Sequence, residues 1–211
     1  MRKHFRYVVY LLVATFVSSA NAGAYEDFFL AVNRDDGDTV TKLVQRGFDP
    51  NARSPEGQTA LHLALRDQSP RVAAALIAER SLDVNVLNAS AESPLMMAAL
   101  RGDLAWSERL MARGAKIHKD GWSPLHYAAT GPESRIVKLL LDRGAPINAL
   151  SPNRSTPLMM AARYGAEASV DLLLAAGADK QLRNDLGLDA AEFAKLAARD
   201  FLLARLEGAK R

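Results

Sequence analysis

The chain has 211 residues, 49% of them hydrophobic, no cysteine, and 27 basic against 24 acidic side chains. The missing cysteines exclude disulfides, thiol nucleophiles, zinc thiolates and a lipid anchor at a leader cysteine. The formal charge of +3 resides in Arg2, Lys3 and Arg6, within 22 residues that hold no acid; the remainder balances 24 against 24, so no counterion-release argument for nucleic acid survives.

Residues 1–22 read as an export signal. Met1 to Arg6 is basic, Tyr7 to Val17 is an apolar run of eleven residues broken only by Thr15, and Ala20-Asn21-Ala22 has the small-x-small form of a cleavage site. Eleven residues fall short of the roughly 20 that a membrane-spanning helix needs. Removal after Ala22 and a bacterial periplasmic location are therefore expected. The alternative is an uncleaved inner-membrane anchor that displays the rest of the chain as a scaffold.

Helical spacing of apolar residues predicts two helices over Tyr25 to Arg34 and Thr39 to Gln45, forming an N-terminal cap unit over 25–56. Asp38 and Asp103, each following a glycine, are expected to cap second helices, and Ser69-Pro70 to do the same with a serine cap and a first-turn proline. From there a motif recurs: GQTALHLAL, AESPLMMAA, GWSPLHYAA, RSTPLMMAA and GLDAAEFAK. Its leading residues Thr59, Ser93, Ser123, Thr156 and Asp189 are separated by 34, 30, 33 and 33 positions, a period that means stacked repeats. The units run over 57–90, 91–120, 121–153 and 154–186, and 187–211 forms a C-terminal cap in which Phe201 to Glu207 ends in charge. The Thr or Ser leaders are expected helix caps. Leu61, Leu95, Leu125 and Leu158 point inward with the alanine pairs, joined by Val72, Leu76, Ile77, Trp106, Leu110, Ile136, Leu139, Leu140, Val170, Leu172 and Leu173 of the second helices.

A leucine-rich segment ending in glycine closes the units, as in LVQRG, LMARG, LLLDRG and LLLAAG, followed by a small residue and an Asn-type turn. From about Tyr25 to the C-terminus the chain resembles the ankyrin repeat family, whose signature is Gly-x-Thr-Pro-Leu-His-x-Ala with a Leu-Leu-x-x-Gly-Ala-Asp-x-Asn exit. The resemblance implies an all-α ankyrin-repeat solenoid of stacked helix-turn-helix units with short β-turn or hairpin loops. It also implies protein binding through the turn tips and the exposed face of each first helix. Carried onto this sequence, the partner-binding residues are Gln58, Arg66, Glu92, Arg101, Lys119, Trp122, Asn153, Arg163 and Tyr164, with Leu100 and Thr130 among their neighbours. Trp122 is weighed evenly between a partner contact and packing over an adjacent turn.

No catalytic constellation emerges. His62 and His126 hold the family's histidine slot, where the ring resembles a strut between turns; repeats two apart lie about 20 Å from each other at about 10 Å per helix layer, too far for shared zinc ligation. Met96 and Met159 hold that slot in two other units and are expected to lack its hydrogen bond. Asp35-Asp36-Gly37-Asp38 fails calcium-loop spacing, and no nucleophile elbow, phosphate loop or zinc-protease motif occurs. The Met96-Met97 and Met159-Met160 pairs read as core filling, with a soft, adaptable contact surface or an oxidation-sensitive one as the less favoured alternative. The expectation is a monomeric, non-catalytic periplasmic protein with no metal or cofactor. It binds no nucleic acid and, once cleaved, no membrane. Its partner is another protein, for example a catalase-like enzyme that it assists or a toxin that it blocks.

Overall fold

The computed structural model describes residues 23–207, so the export signal over 1–22 and the last four residues of the C-terminal cap lie outside it. Contacts divide the chain at Leu82 and Asp83 into two units. The first holds α1 (residues 23–33), α2 (Gly37–Gln45), α3 (Ala60–Arg66) and α4 (Pro70–Ala78). The second holds α5 (Pro94–Leu100), α6 (Leu104–Ala112), α7 (Pro124–Thr130), α8 (Ser134–Asp142), α9 (Pro157–Tyr164), α10 (Glu167–Ala175), α11 (Ala190–Leu196), a 3-10 turn over Asp200–Leu202, and α12 (Leu203–Leu206). No strand forms among the described residues beyond one isolated bridge, Arg53 to Thr59. None of the described helices is long and apolar enough to cross a membrane.

In the first unit α4 packs against both α2 and α3. Phe28, Val40, Leu61, Val72 and Leu76 are fully buried there. Gly37 is required by proximity: a Cβ on it would meet the Arg71 carbonyl oxygen at 2.5 Å. Asp36, not Asp38, caps α2, because the backbone N–H of Thr39 donates to Asp36 Oδ1 at 3.1 Å and its hydroxyl to Oδ2 at 2.6 Å. The glycine is the first residue of the helix, so the cap lies before it. Ser69 occupies the cap position of α4 and Pro70 its first turn, yet the serine hydroxyl makes no cap bond. The Asp35 carboxylate, from the α1–α2 turn, accepts the Val72 N–H at 2.8 Å instead.

In the second unit the first helices α5, α7, α9 and α11 pack in succession, and each of α5, α7 and α9 pairs with the helix that follows it. Leu95, Leu125 and Leu158 sit at the centre of these contacts, fully buried, with Leu110, Ile136, Leu140, Val170 and Leu173 from the second helices. Truncating one of them to alanine removes about 2–5 kcal/mol. Ile77, Leu139 and Leu172 are only half-buried, whereas Val137, not anticipated, is fully buried. The alanine pairs let the helices close: a Cβ on Gly131 would meet the Ala99 carbonyl oxygen at 2.6 Å, and one on Gly165 would strike that of Ala129. Asp103 caps α6 as expected, accepting the Trp106 N–H at 3.0 Å. Phe201 of the terminal turn is 55% exposed.

Candidate functional site

The leaders Thr59, Ser93, Ser123, Thr156 and Asp189 all occupy helix cap positions. Three residues on, the strut slot satisfies their backbones by different chemistries. The Ser123 N–H donates to His126 Nδ1 at 3.2 Å, so the ring proton resides on Nε2, which donates to the Ser155 carbonyl at 2.9 Å. His126 therefore ties its own helix start to the turn of the next repeat. Burial holds its pKa down at about 4, against the opposing pull of the Ser155 carbonyl. In the first unit His62 Nδ1 lies 2.8 Å from Thr59 Oγ1.

As expected, the methionines at this slot lack the strut's bond to the next turn, but each accepts one within its own repeat. Met96 Sδ accepts the Ser93 N–H at 3.2 Å and Met159 Sδ that of Thr156 at 3.3 Å. A buried amide with no other acceptor makes use of a weak thioether one. What a thioether cannot do is donate onward, so these two repeats lack the forward half of the strut.

The turns between repeats carry a second pattern. In the turns over 54–58, 88–92, 151–155 and 184–188 the first residue's N–H donates to the carbonyl of the last. Side chains of Ser54, Asn88, Ser151 and Asn184 then brace the tip by accepting backbone N–H groups. The turn before α7 differs. From the exit glycine to the leader, Gly47 to Thr59, Gly144 to Thr156 and Gly177 to Asp189 each span 12 positions, whereas Gly114 to Ser123 spans 9. Here Lys119 does the bracing, its Nζ donating to the carbonyls of Asp120 and Trp122 at 3.0 Å each.

Beside this shortened turn lies an open, apolar pocket of about 230 Å³ lined by Leu100, Trp122, His126, Tyr127, Thr130 and Met160. The Trp122 ring stands edge-on to His126 with centroids 5.3 Å apart. The Tyr127 hydroxyl donates to Glu92 at 2.7 Å, and burial and that carboxylate push its pKa up. Of the residues expected to meet a partner, Trp122 lines the pocket, as do its expected neighbours Leu100 and Thr130. Trp122 thus both packs on its own repeat and presents a surface to solvent.

The remaining candidates fall into three groups. Arg101 is exposed at the end of α5, and Arg163 lies 5.0 Å from the centre of the Tyr164 ring, which is 54% exposed. Glu92, Lys119 and Asn153 are partly committed inside their turns: Glu92 accepts from Tyr127 and Asn88, and the Asn153 carbonyl accepts the Asp185 N–H at 3.1 Å. In the first unit, the Gln58 carbonyl closes its turn with Ser54 and exposed Arg66 pairs with Asp67 at 2.7 Å. Tyr127 was missed, and Met160 was read as core filling ahead of a contact surface. They occupy one slot, with Leu63, Met97 and Phe193 at its other copies, and varied, large residues at a slot that repeats are free to change are the signal that could have found them.

Among the described residues no cluster of three or more metal-ligating side chains occurs. A family model described as ankyrin repeats (3 copies) matches residues 28–120 and again 95–184. The chain is 36% identical over 154 residues to the B-cell lymphoma 3 protein homolog of Mus musculus, covering 70% of this chain and 34% of that protein. It is 26% identical over 159 residues to the Transient receptor potential cation channel subfamily A member 1 of Homo sapiens, covering 70% and 14%. It is 29% identical over 147 residues to Rabankyrin-5 of Mus musculus, covering 67% and 13%. The chain thus spans about a third or less of the length of these relatives. Ankyrin repeats are in general non-catalytic protein–protein interaction modules. By the recurring leader motif, the successive packing of first helices and the matched length of the family model, the chain belongs to the ankyrin repeat family.

Proposed function

We propose that this chain is a non-catalytic, partner-binding protein of the bacterial periplasm, delivered there by residues 1–22 and acting as an accessory or immunity factor for another periplasmic protein. The observation that carries the binding reading is the pocket around Trp122. It exposes aromatic and apolar surface on first-helix and turn residues, where a fold held together by its leucines and alanines has no need of an indole. The basic and apolar pattern of the leader supports export. The test is affinity capture from periplasmic extract with the C-terminally tagged full chain, repeated with Trp122→Ala plus Tyr164→Ala. A dominant protein lost with the double variant, and a tagged chain whose mass lacks residues 1–22, is the expected result. Equal capture by both forms would sink the proposed face. An intact leader in the membrane fraction would favour the anchored scaffold.

A further inference from the structure

We infer that the Trp122 pocket receives one large apolar side chain from an acidic segment of the partner, the flanking carboxylates being held by Arg101 and Arg163. This rests on the partner-binding reading and narrows it. The size argument comes first: about 230 Å³ is below the roughly 300–1,000 Å³ of sites that enclose a whole small molecule, and suits a single side chain. The lining argues for an apolar one, since Leu100, Met160 and the faces of Trp122 and Tyr127 offer dispersion contact. The hydroxyl and imidazole groups of the lining are already spent. The Thr130 hydroxyl donates to the His126 carbonyl, both His126 nitrogens are bonded, and the Tyr127 hydroxyl donates to Glu92.

Charge selects the flanks. Arg101 directly follows Leu100, Arg163 lies three residues beyond Met160 on the same helix face, and the Lys119 ammonium is bonded to the Trp122 carbonyl. Among the described residues Arg101 and Arg163 have no carboxylate partner, whereas Arg135, Arg154, Arg183 and Arg205 of the same unit do; Arg109, Arg143 and Arg199 lack one as well, but none of them lies within three residues of the pocket lining in sequence. Glu92, which keeps its charge while accepting from Tyr127 and Asn88, and Asp120 are the two acids set against these three cations, leaving one positive charge in excess. Both guanidinium groups, that of Arg163 lying against the Tyr164 and Phe193 rings, keep N–H donors for bidentate carboxylate contacts. The chain's own basic leader carries Arg2, Lys3 and Arg6, the same sign as this rim, and is a poor match for it.

The probes are three capped peptides: one phenylalanine between two pairs of aspartates, the same with alanine at the centre, and the same phenylalanine between pairs of lysines. Each is titrated into the full chain and followed by calorimetry and by amide and indole NMR shifts. The aspartate–phenylalanine peptide is expected to bind and to move the Trp122 indole and Thr130 signals. The other two should bind at least tenfold more weakly, and added salt should weaken the first. Arg101→Glu with Arg163→Glu should lower its affinity at least tenfold while improving the lysine peptide; Arg101→Ser alone, at an exposed position, carries the charge test if the double variant does not fold. No binding, equal binding of the lysine peptide, shifts remote from the pocket, or the same shifts from self-association without peptide would each overturn the inference. If these fail while a captured protein is still lost with the Trp122 and Tyr164 variant, the partner-binding reading stands and only the acidic segment is wrong.

Discussion

Acid should loosen the second unit through one residue, His126. In the folded chain its ring is neutral down to a pKa of about 4; in the unfolded chain it titrates near the ordinary 6.5. Between those values the unfolded state binds a proton that the folded state refuses, so stability falls as pH falls, beginning near 6.5 and flattening below about 4. At about 1.4 kcal/mol per pH unit, the full effect is on the order of 3 kcal/mol, and the part lost between pH 7 and pH 5 is about 2 kcal/mol. The lowered carboxylates Asp36, Glu56 and Glu133 act in the same direction but at lower pH, since their contribution is lost only as pH falls below the ordinary carboxylate range. Urea unfolding followed by circular dichroism at several pH values, for wild type and His126→Gln, isolates the contribution of this ring. The wild type should lose about 2 kcal/mol more than the variant from pH 7 to pH 5. An NMR titration of the ring supplies the direct check. Parallel stability curves, or a ring midpoint near 6.5, would refute the account of a buried, neutral strut.

Five substitutions test the packing and the buried hydrogen bonds. Gly165→Ala places a methyl group against the Ala129 carbonyl oxygen and should cost about 1–3 kcal/mol by thermal melting, more than Gly144→Ala, where the space is open and only the positive φ is strained. Asp35→Ala should cost about 1–2 kcal/mol by removing the acceptor for the Val72 N–H, while Ser69→Ala should stay within about 0.5 kcal/mol; the reverse order would restore the serine as the cap. Ser169→Ala should raise stability by about 1 kcal/mol, because the Ser169 hydroxyl is buried without a partner; a loss on urea unfolding would mean that it has one.

The repeat architecture was legible because it is written redundantly. Each leader, inward leucine and exit glycine recurs at a fixed offset, and a helix cap is a local matter of three or four residues. The misjudged features are those that depend on a neighbouring repeat or on weak chemistry. Asp35 reaches α4 across 37 positions, which no local cap rule anticipates. Met96 and Met159 lack the strut's donor, as expected, but the bond that each accepts from its own leader went unread because a thioether is so weak an acceptor. The irregular 30-residue interval was visible, but its meaning, a turn three residues shorter beside the pocket, depended on measuring from the exit glycine as well as from the leader. Trp122 was suspected; Tyr127 was not, and Met160 only as the lesser reading, because a large residue on a helix reads as core until its neighbours are seen to leave it uncovered.

The strut slot has a consequence for how the second unit comes apart. Between α7 and α9 the tie is neutral and buried, made by His126 and the Ser155 carbonyl. Towards the C-terminal end, by contrast, α12 is tied to α10 by Arg205, which reaches Glu167 at 3.3 Å and Asp171 at 3.5 Å on the exposed surface. Mobile ions weaken the second kind of tie and leave the first untouched, while mild acid does the opposite. Hydrogen exchange should therefore show salt opening α12 first, and acid opening the α7–α9 joint, so that two joints in one unit answer to different features of the surrounding medium.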